Sequence, residues 1–88
     1  MIEKSIEVFI KNGLHARPAG ELVKMLKQYD CDVFLIKGEK KINLKSIIQI
    51  MSTSIRENDV IRVQVNGKDE AEAARKLEKF FRNGKIDR

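Results

Sequence analysis

Chemically distinctive residue types are scarce in this chain of 88 residues, which has no tryptophan and only one cysteine, one histidine, one proline and one tyrosine. A single cysteine cannot form an internal disulfide, and one cysteine with one histidine cannot assemble a metal-ligand cluster. We therefore expect no disulfide framework and no metal site. Cys31 is interpreted as a small residue at the start of a strand.

Long apolar runs are also absent. Hydrophobic residues make up 42% of the chain and charged residues 35%, which is the balance of a globular protein. No apolar run approaches the roughly 18 residues that a membrane span needs, and the first residues lack the pattern of a secretion signal. We expect a cytoplasmic protein without membrane insertion, folded as a single domain over residues 1–88 around one core.

The formal net charge of +5 raises the question of nucleic-acid binding. The basic residues, however, are interspersed with glutamates, aromatic side chains for base stacking are few, and no zinc-finger or helix-turn-helix spacing occurs. We therefore expect no nucleic-acid partner. Lys24, Lys27 and Lys45 are instead predicted to steer acidic partner surfaces towards the functional site.

The spacing of apolar residues predicts seven elements in the order β-α-β-β-α-β-α. The strands are predicted over residues 2–10, 33–36, 41–44 and 61–65, and the helices over 16–29, 46–54 and 69–84. Each helix has one apolar face, so the helices can cover only one side of the sheet. The predicted fold class is therefore α+β, a two-layer β-sandwich whose second sheet face is open. Asp69 with Glu72 resembles a capping box at the start of the last helix.

The only histidine and the only proline lie together where the strand pattern changes to a helical one. A helix N-terminus leaves backbone N–H groups without acceptors and carries partial positive charge, so it favours anions. A phosphoryl group on His15 would meet those groups and the guanidinium of Arg17. Pro18 fits the first turn, and its ring is expected to keep Arg17 extended before the helix. From these residues alone, a histidine with only a structural role at a helix end is the more frequent explanation of this pattern.

Two longer motifs decide between these explanations. GLHARPA at residues 13–19 resembles the phosphorylation-site motif of HPr, the phosphocarrier of the bacterial phosphoenolpyruvate:sugar phosphotransferase system. INLKSIIQIMS at residues 42–52 resembles the second landmark of that family, a regulatory serine followed by a short helix. The resemblance extends over essentially the whole chain. It implies a four-stranded antiparallel sheet in the order 1-4-2-3, with three helices on one face.

The same resemblance implies a function. Enzyme I, charged from phosphoenolpyruvate, would phosphorylate Nδ1 of His15, and the phosphoprotein would pass the group to the EIIA domain of a sugar permease. Arg17 would neutralise the phosphoryl oxygens, and the N–H groups of Ala16 and Arg17 would cap them. No cofactor is implied. The chain would be a carrier and not an enzyme, because each half-reaction leaves it covalently changed.

The predicted short helix is unusually apolar. At about 100° per residue, Ile47, Ile48, Ile50 and Met51 cover an arc of roughly 160°, which one contact with the sheet cannot hide. We predict that Ile50 lies in the core with Ile55, and that the other three bind partners. The alternative is that the whole helix is buried. In the resembling family this helix and the start of the first helix bind partners together, which adds Gly20 and Lys24 to the predicted docking residues.

Ser46 has two interpretations. As the N-cap of the short helix it needs only to accept a backbone hydrogen bond. As a regulatory site it would carry a phosphate beside the docking residues. The resemblance favours the second and implies an HPr kinase/phosphorylase and a transcriptional regulator as further partners.

Departures from the family pattern concern the surface of the short helix. Ile48 stands where the family usually has Met or Phe, and Gln49 and Ser54 stand where Gly is frequent, which leaves partner choice and serine regulation open. Two rival functions remain: a carrier in a regulatory, nitrogen-type phosphorelay, and a corepressor-like interaction module. Regulatory paralogues without the active histidine are not a close analogy, because His15 is present. We expect a monomer.

Overall fold

The computed structural model describes residues 1–11 and 13–83. Within these ranges the strands are β1 (Ile2–Glu7), β2 (Cys31–Lys37), β3 (Lys40–Asn43) and β4 (Val60–Gly67), and the helices are α1 (Ala16–Leu26), α2 (Ile47–Met51) and α3 (Glu70–Asn83). The order β-α-β-β-α-β-α is the predicted one. Cys31 begins β2, as predicted, and it is buried.

The four strands form one antiparallel sheet in the order β1-β4-β2-β3. Alternation along each strand decides which face is apolar. Val65 in β4 lies opposite Ile2 in β1 and Val33 in β2, and Leu35 in β2 lies opposite Ile42 in β3. These inward positions are packed, whereas the residues between them are polar or partly exposed. The predicted open-faced α+β sandwich is confirmed.

The core lies between the inner face of the sheet and the three helices. α1 contributes Leu22 and Leu26 to it, and α3 contributes Leu77 and the pair Phe80 and Phe81. The two phenyl rings meet edge to face, with centroids 5.7 Å apart. Helix α3 contacts β1, β4 and β2, while α1 packs against α2 and α3. This packing sets the N-terminal half of α1 beside α2.

Strand β1 and helix α1 end earlier than the apolar pattern predicts. Strand β1 ends at Glu7 although Val8 and Ile10 are buried. Val8 exchanges hydrogen bonds with Asn58 and Asp59, and Asn58 has a φ of +74°, so the partner segment is no longer extended. Helix α1 ends at Leu26, before half-buried Tyr29. The N–H groups of Gln28 and Tyr29 bond to carbonyl oxygens three residues back instead of four, which closes the helix.

Helix α2 ends at Met51 and not at about Ser54. The hydroxyls of Ser52 and Thr53 both donate to the carbonyl oxygen of Gln49, at 2.8 and 3.2 Å. Side chains that satisfy the last carbonyls in this way compete with further helical turns. The predicted extension was wrong for that reason.

The start of α3 is held by carboxylates that bind outside the helix. Asp69 accepts a hydrogen bond from the Asp30 N–H at 2.7 Å, which ties α3 to the segment before β2. Glu70 accepts from the Gly67 N–H at 3.1 Å and lies 3.1 Å from the N-terminal ammonium. The predicted end of this helix, Gly84, lies outside the described residues.

The pKa of the Glu70 carboxyl is lowered from its ordinary value of 4.5, first by the Gly67 hydrogen bond and then by the N-terminal ammonium. A lowered folded pKa means that the unfolded chain binds more protons as the pH falls. The stabilisation from Glu70 is therefore complete above its ordinary pKa and is lost as the pH falls through the folded value.

We predict that Glu70→Gln lowers stability at pH 7 and flattens the loss of stability on acidification. Glutamine keeps an acceptor for Gly67 but cannot titrate. Urea unfolding measured between pH 7 and pH 2.5 checks this, with Glu39→Gln in the exposed β2–β3 turn as the control. An unchanged slope of unfolding free energy against pH in Glu70→Gln would contradict the assignment.

Candidate functional site

The loop before α1 is held against the chain that follows α2 by a contact of Gly13 and Leu14 with Ile55 and Arg56, which we call the clamp. The Leu14 N–H donates to the Ile55 carbonyl oxygen at 2.9 Å. Gly13 has a φ of +75°, and a Cβ at this position would come within 2.4 Å of the same oxygen and 2.9 Å of the Arg56 Cα. Only glycine fits so close an approach in this conformation. The clamp determines where the next residue, His15, leaves the loop.

His15 is the N-cap residue of α1. Its backbone is extended, with φ −101° and ψ −172°, and its carbonyl oxygen accepts the first helical bond from Ala19 at 2.9 Å. Within the described residues its side chain makes no capping hydrogen bond, and the residue is exposed. The N–H groups of Ala16 and Arg17 belong to the first turn, where helical acceptors are lacking. The imidazole therefore stands at a helix N-terminus without serving as its cap.

Arg17 lies in the first turn of α1 and not in an extended segment before it. The prediction that Pro18 keeps Arg17 extended was wrong. The clash of a proline ring with the preceding residue is modest, and here the helical bond from Ala19 and the burial of Pro18 and Ala19 outweigh it. The Arg17 side chain is 89% exposed, and its Nε lies 3.9 Å from Oε1 of Glu21, one turn further along.

Ser46 is the N-cap of α2, as predicted. Its backbone is extended, and its Oγ accepts a hydrogen bond from the Gln49 N–H at 3.4 Å. Asn43 braces the same turn, because its N–H donates to the Gln49 side chain at 2.8 Å and its side chain accepts from the Lys45 N–H at 2.9 Å. The hydroxyl has a structural role here. Its regulatory role stays a prediction.

Helix α2 exposes most of its apolar arc. The exposed fractions are 79% for Ile48, 48% for Met51 and 44% for Ile47, whereas Ile50 is fully buried. Ile55 is also buried. The prediction that part of this arc faces solvent is confirmed, and the alternative of a fully buried helix is wrong. Whether the exposed side chains bind partners stays a prediction.

The two helices form one continuous surface. A Cβ built on Gly20 would lie 3.9 Å from Cδ1 of Ile47, so α1 and α2 touch at this point. Arg17, Gly20 and Lys24 follow one another at helical spacings of three and four, and therefore lie along one side of α1. We call the surface formed by His15, Arg17, Gly20, Lys24, Ile47, Ile48 and Met51 the α1–α2 face.

The three lysines predicted to steer partners differ in exposure and in hydrogen bonding. Lys24 and Lys27 are exposed. Lys45 is half-buried, and its Nζ donates to the Tyr29 carbonyl oxygen at 2.7 Å. The steering prediction therefore rests mainly on Lys24 and Lys27.

The remaining reactive groups of the described chain point to no second chemistry. Among residues 1–11 and 13–83, no group of three or more His, Cys, Asp or Glu side chains could hold a metal ion. Burial raises the pKa of the Cys31 thiol, against a smaller opposing effect of Lys45, so the thiol is protonated and inert at neutral pH. No helix in these ranges is long and apolar enough to cross a membrane.

Two parts of this site were not predicted from the sequence. The spacing of four between Arg17 and Glu21 is a readable signal of an ion pair on a helix, and it would have identified Glu21. The contact of Gly13 and Leu14 with Ile55 joins segments about 40 residues apart. No local sequence pattern predicts such a contact.

The chain is similar to known phosphocarrier proteins. A family model described as the PTS HPr component phosphorylation site matches residues 2–83. The HPr-like protein Crh of Halalkalibacterium halodurans is 40% identical over 81 residues, covering 92% of this chain and 96% of that protein. The phosphocarrier protein HPr of Neisseria meningitidis is 36% identical over 77 residues, covering 88% and 86%.

Solved structures show the same relationship. An HPr from Thermoanaerobacter tengcongensis superposes with a TM-score of 0.88 at 35% identity, covering 99% of this chain and 100% of that one. An HPr from Bacillus anthracis superposes with a TM-score of 0.86 at 36% identity, covering 91% and 95%. Both similarities extend through the α1–α2 face.

We predict that Gly13→Ala destabilises the protein more than Gly38→Ala does. Both glycines have positive φ, but space around Gly38 is open. Gly38→Ala should cost about 1–2 kcal/mol for the left-handed backbone alone, and Gly13→Ala roughly 1–3 kcal/mol more for the clash with Ile55 and Arg56. Urea unfolding of the two variants measures the difference. Equal losses would mean that the clamp is not a close contact.

Proposed function

This chain belongs to the HPr family of phosphocarrier proteins of the phosphotransferase system, and we propose that it carries a phosphoryl group on Nδ1 of His15, taken from enzyme I and passed to the EIIA domain of a sugar permease. The observation that carries the proposal is the exposed imidazole at the N-terminus of α1, which is not engaged as a cap. An exposed nucleophile in this position can be reached by two different protein partners in turn.

The transfer needs only the imidazole and the donor. The lone pair of Nδ1 attacks phosphorus, the new N–P bond forms, and the bond from phosphorus to the donor breaks with its electron pair leaving on the donor. The imidazole proton stays on Nε2, so the attacking nitrogen has no proton to lose. The reverse sequence of bond changes hands the group to the next acceptor.

Local electrostatics favour the phosphorylated state. The N-terminus of α1 carries partial positive charge, and the N–H groups of Ala16 and Arg17 are available as donors to phosphoryl oxygens. The Arg17 guanidinium is 89% exposed, and the contact that holds it among the described residues is a 3.9 Å ion pair, so it is free to turn towards the group on His15. We assign the phosphohistidine to His15 and the stabilising roles to Arg17 and Ala16.

The docking surface for both partners is the α1–α2 face. Its exposed Ile47, Ile48 and Met51 supply an adaptable apolar patch. Lys24 beside Gly20 adds positive charge that fits partners with acidic surfaces. The protein acts as a carrier and not as an enzyme, needs no cofactor, works in the cytoplasm as a single domain, and binds no nucleic acid.

A second candidate function is regulatory. The chain is 40% identical to two HPr-like proteins named Crh, and this similarity supports a regulatory role. In that role Ser46 is phosphorylated by an HPr kinase/phosphorylase, and the α1–α2 face then binds a transcriptional regulator as a corepressor-like module. Ser46 caps the helix that bears the apolar patch, so a phosphate there would alter the patch directly. A nitrogen-type phosphorelay remains a variant of the carrier role with other recipients.

Several solved relatives are described as dimers. One Crh structure is described as a dimer with a swapping domain, and one HPr structure from T. tengcongensis is a dimer. We propose that this chain acts as a monomer, because partners in a relay need the α1–α2 face uncovered. Analytical ultracentrifugation of the purified protein tests the monomer.

We predict that His15 alone accepts phosphate from enzyme I. With enzyme I and phosphoenolpyruvate, intact-mass measurement should show one added phosphoryl group in the parent and none in His15→Ala, because no other imidazole exists in the chain. The adduct should disappear in acid, as phosphohistidine does. Equal labelling of His15→Ala would contradict the assignment.

We predict that Ser46→Asp separates the capping role from the regulatory role. Aspartate is as good an N-cap as serine and suits the helix dipole, so the melting temperature should barely change, whereas Ser46→Ala should cost about 1 kcal/mol. The added charge beside Ile47 should slow phosphorylation by enzyme I, and high salt should reduce the deficit. Full acceptor activity of Ser46→Asp at low salt would leave Ser46 as a cap only.

A further inference from the structure

Glu21 is the only acidic residue of α1, and none lies in its first turn. Its Oε1 is 3.9 Å from Nε of Arg17, across one turn of the helix. We infer that Glu21 is a positioning residue, which holds the Arg17 guanidinium while His15 is free and releases it when His15 carries a phosphoryl group. This inference rests on the proposed carrier function and adds a residue to it.

The Arg17–Glu21 pair has the properties of a contact that can be exchanged. The side chains of Arg17 and Glu21 are 89% and 40% exposed, so water competes with each of them and the net gain from pairing is small. The order along the helix, with the base before the acid, is also the weaker one. Such a pair restricts where the guanidinium lies without binding it tightly.

A phosphoryl group on His15 competes for the same guanidinium. It carries up to two negative charges and three acceptor oxygens, whereas Glu21 offers one charge. Forked hydrogen bonds from arginine to phosphate are among the stronger polar contacts in proteins. Arg17 stands two residues after His15 and four before Glu21, so it can serve either anion. Phosphorylation should therefore move Arg17 from the carboxylate to the phosphoryl oxygens.

The exchange has a consequence for the energy of the phosphorylated state. Glu21 stabilises the free protein through its pair with Arg17, and after phosphorylation its carboxylate is left unpaired near another anion. Both effects raise the energy of the phosphohistidine relative to free His15. With Glu21 present, the protein would thus be a weaker phosphoryl acceptor and a better phosphoryl donor than it would be with His15 and Arg17 but without this carboxylate.

The test is Glu21→Gln, which keeps the size of the side chain and removes its charge. We expect the equilibrium between phosphorylated enzyme I and this protein to shift roughly two- to fivefold towards the phosphorylated protein, the range for loss of an exposed ion pair. The shift should shrink as salt rises. The matched control is Glu72→Gln, which removes a carboxylate from an exposed pair with Arg75 (3.6 Å) on α3 and should leave the equilibrium unchanged.

A double-mutant cycle separates positioning from charge alone. If Glu21 acts through Arg17, Glu21→Gln should have a smaller effect on the equilibrium in the Arg17→Ala background than in the parent. An effect of the same size in both backgrounds, or no effect of Glu21→Gln in the parent, would overturn the inference. A parent protein that enzyme I fails to phosphorylate would instead overturn the proposed function, so the two failures are distinguishable.

Discussion

The hydrogen bond from the Leu14 N–H to the Ile55 carbonyl oxygen, 2.9 Å long, joins the two halves of the candidate site. On one side it ends the loop that delivers His15 to the start of α1, and on the other it anchors the chain that leaves α2. Gly13 makes the bond possible, because any Cβ there would collide with the same oxygen. The distance between His15 and the apolar patch of α2 therefore depends on this backbone contact.

The fold was largely predictable from local patterns, and the reasons for the exceptions are specific. Alternation in β4 and helical spacing in α1 and α3 report which side of each element is buried, so the order of elements and the open sheet followed directly. The residues at which the elements end could not be predicted from the same patterns. The end of α2 depends on two hydroxyls that bind the Gln49 carbonyl, and the end of β1 depends on the left-handed Asn58 opposite it. Both are decided by contacts that periodicity does not encode.

The short length of α2 explains why one residue at its start matters so much. A helix of five residues has too few internal hydrogen bonds to be stable by itself. It is held by burial of Ile50 beneath it and by the Ser46 cap at its start. With only one apolar side chain buried, the helix leaves three others on the surface. A change at Ser46 therefore acts on the cap and on the exposed patch together.

The proposed carrier role requires that a phosphoryl group be accepted from one partner and given up to the next, so in that role neither state of His15 can be much more stable than the other. The site fits this constraint because its stabilising contacts are exposed. Arg17 lies at the surface, where water screens its charge, and the helix N-terminus contributes only partial charges. A buried arginine would bind the phosphoryl group too tightly for it to be passed on. A buried arginine already paired with a fixed carboxylate would not be available to the phosphoryl group at all. In the proposed role, the weakness of each single group available to the phosphoryl group is therefore a requirement of reversible transfer.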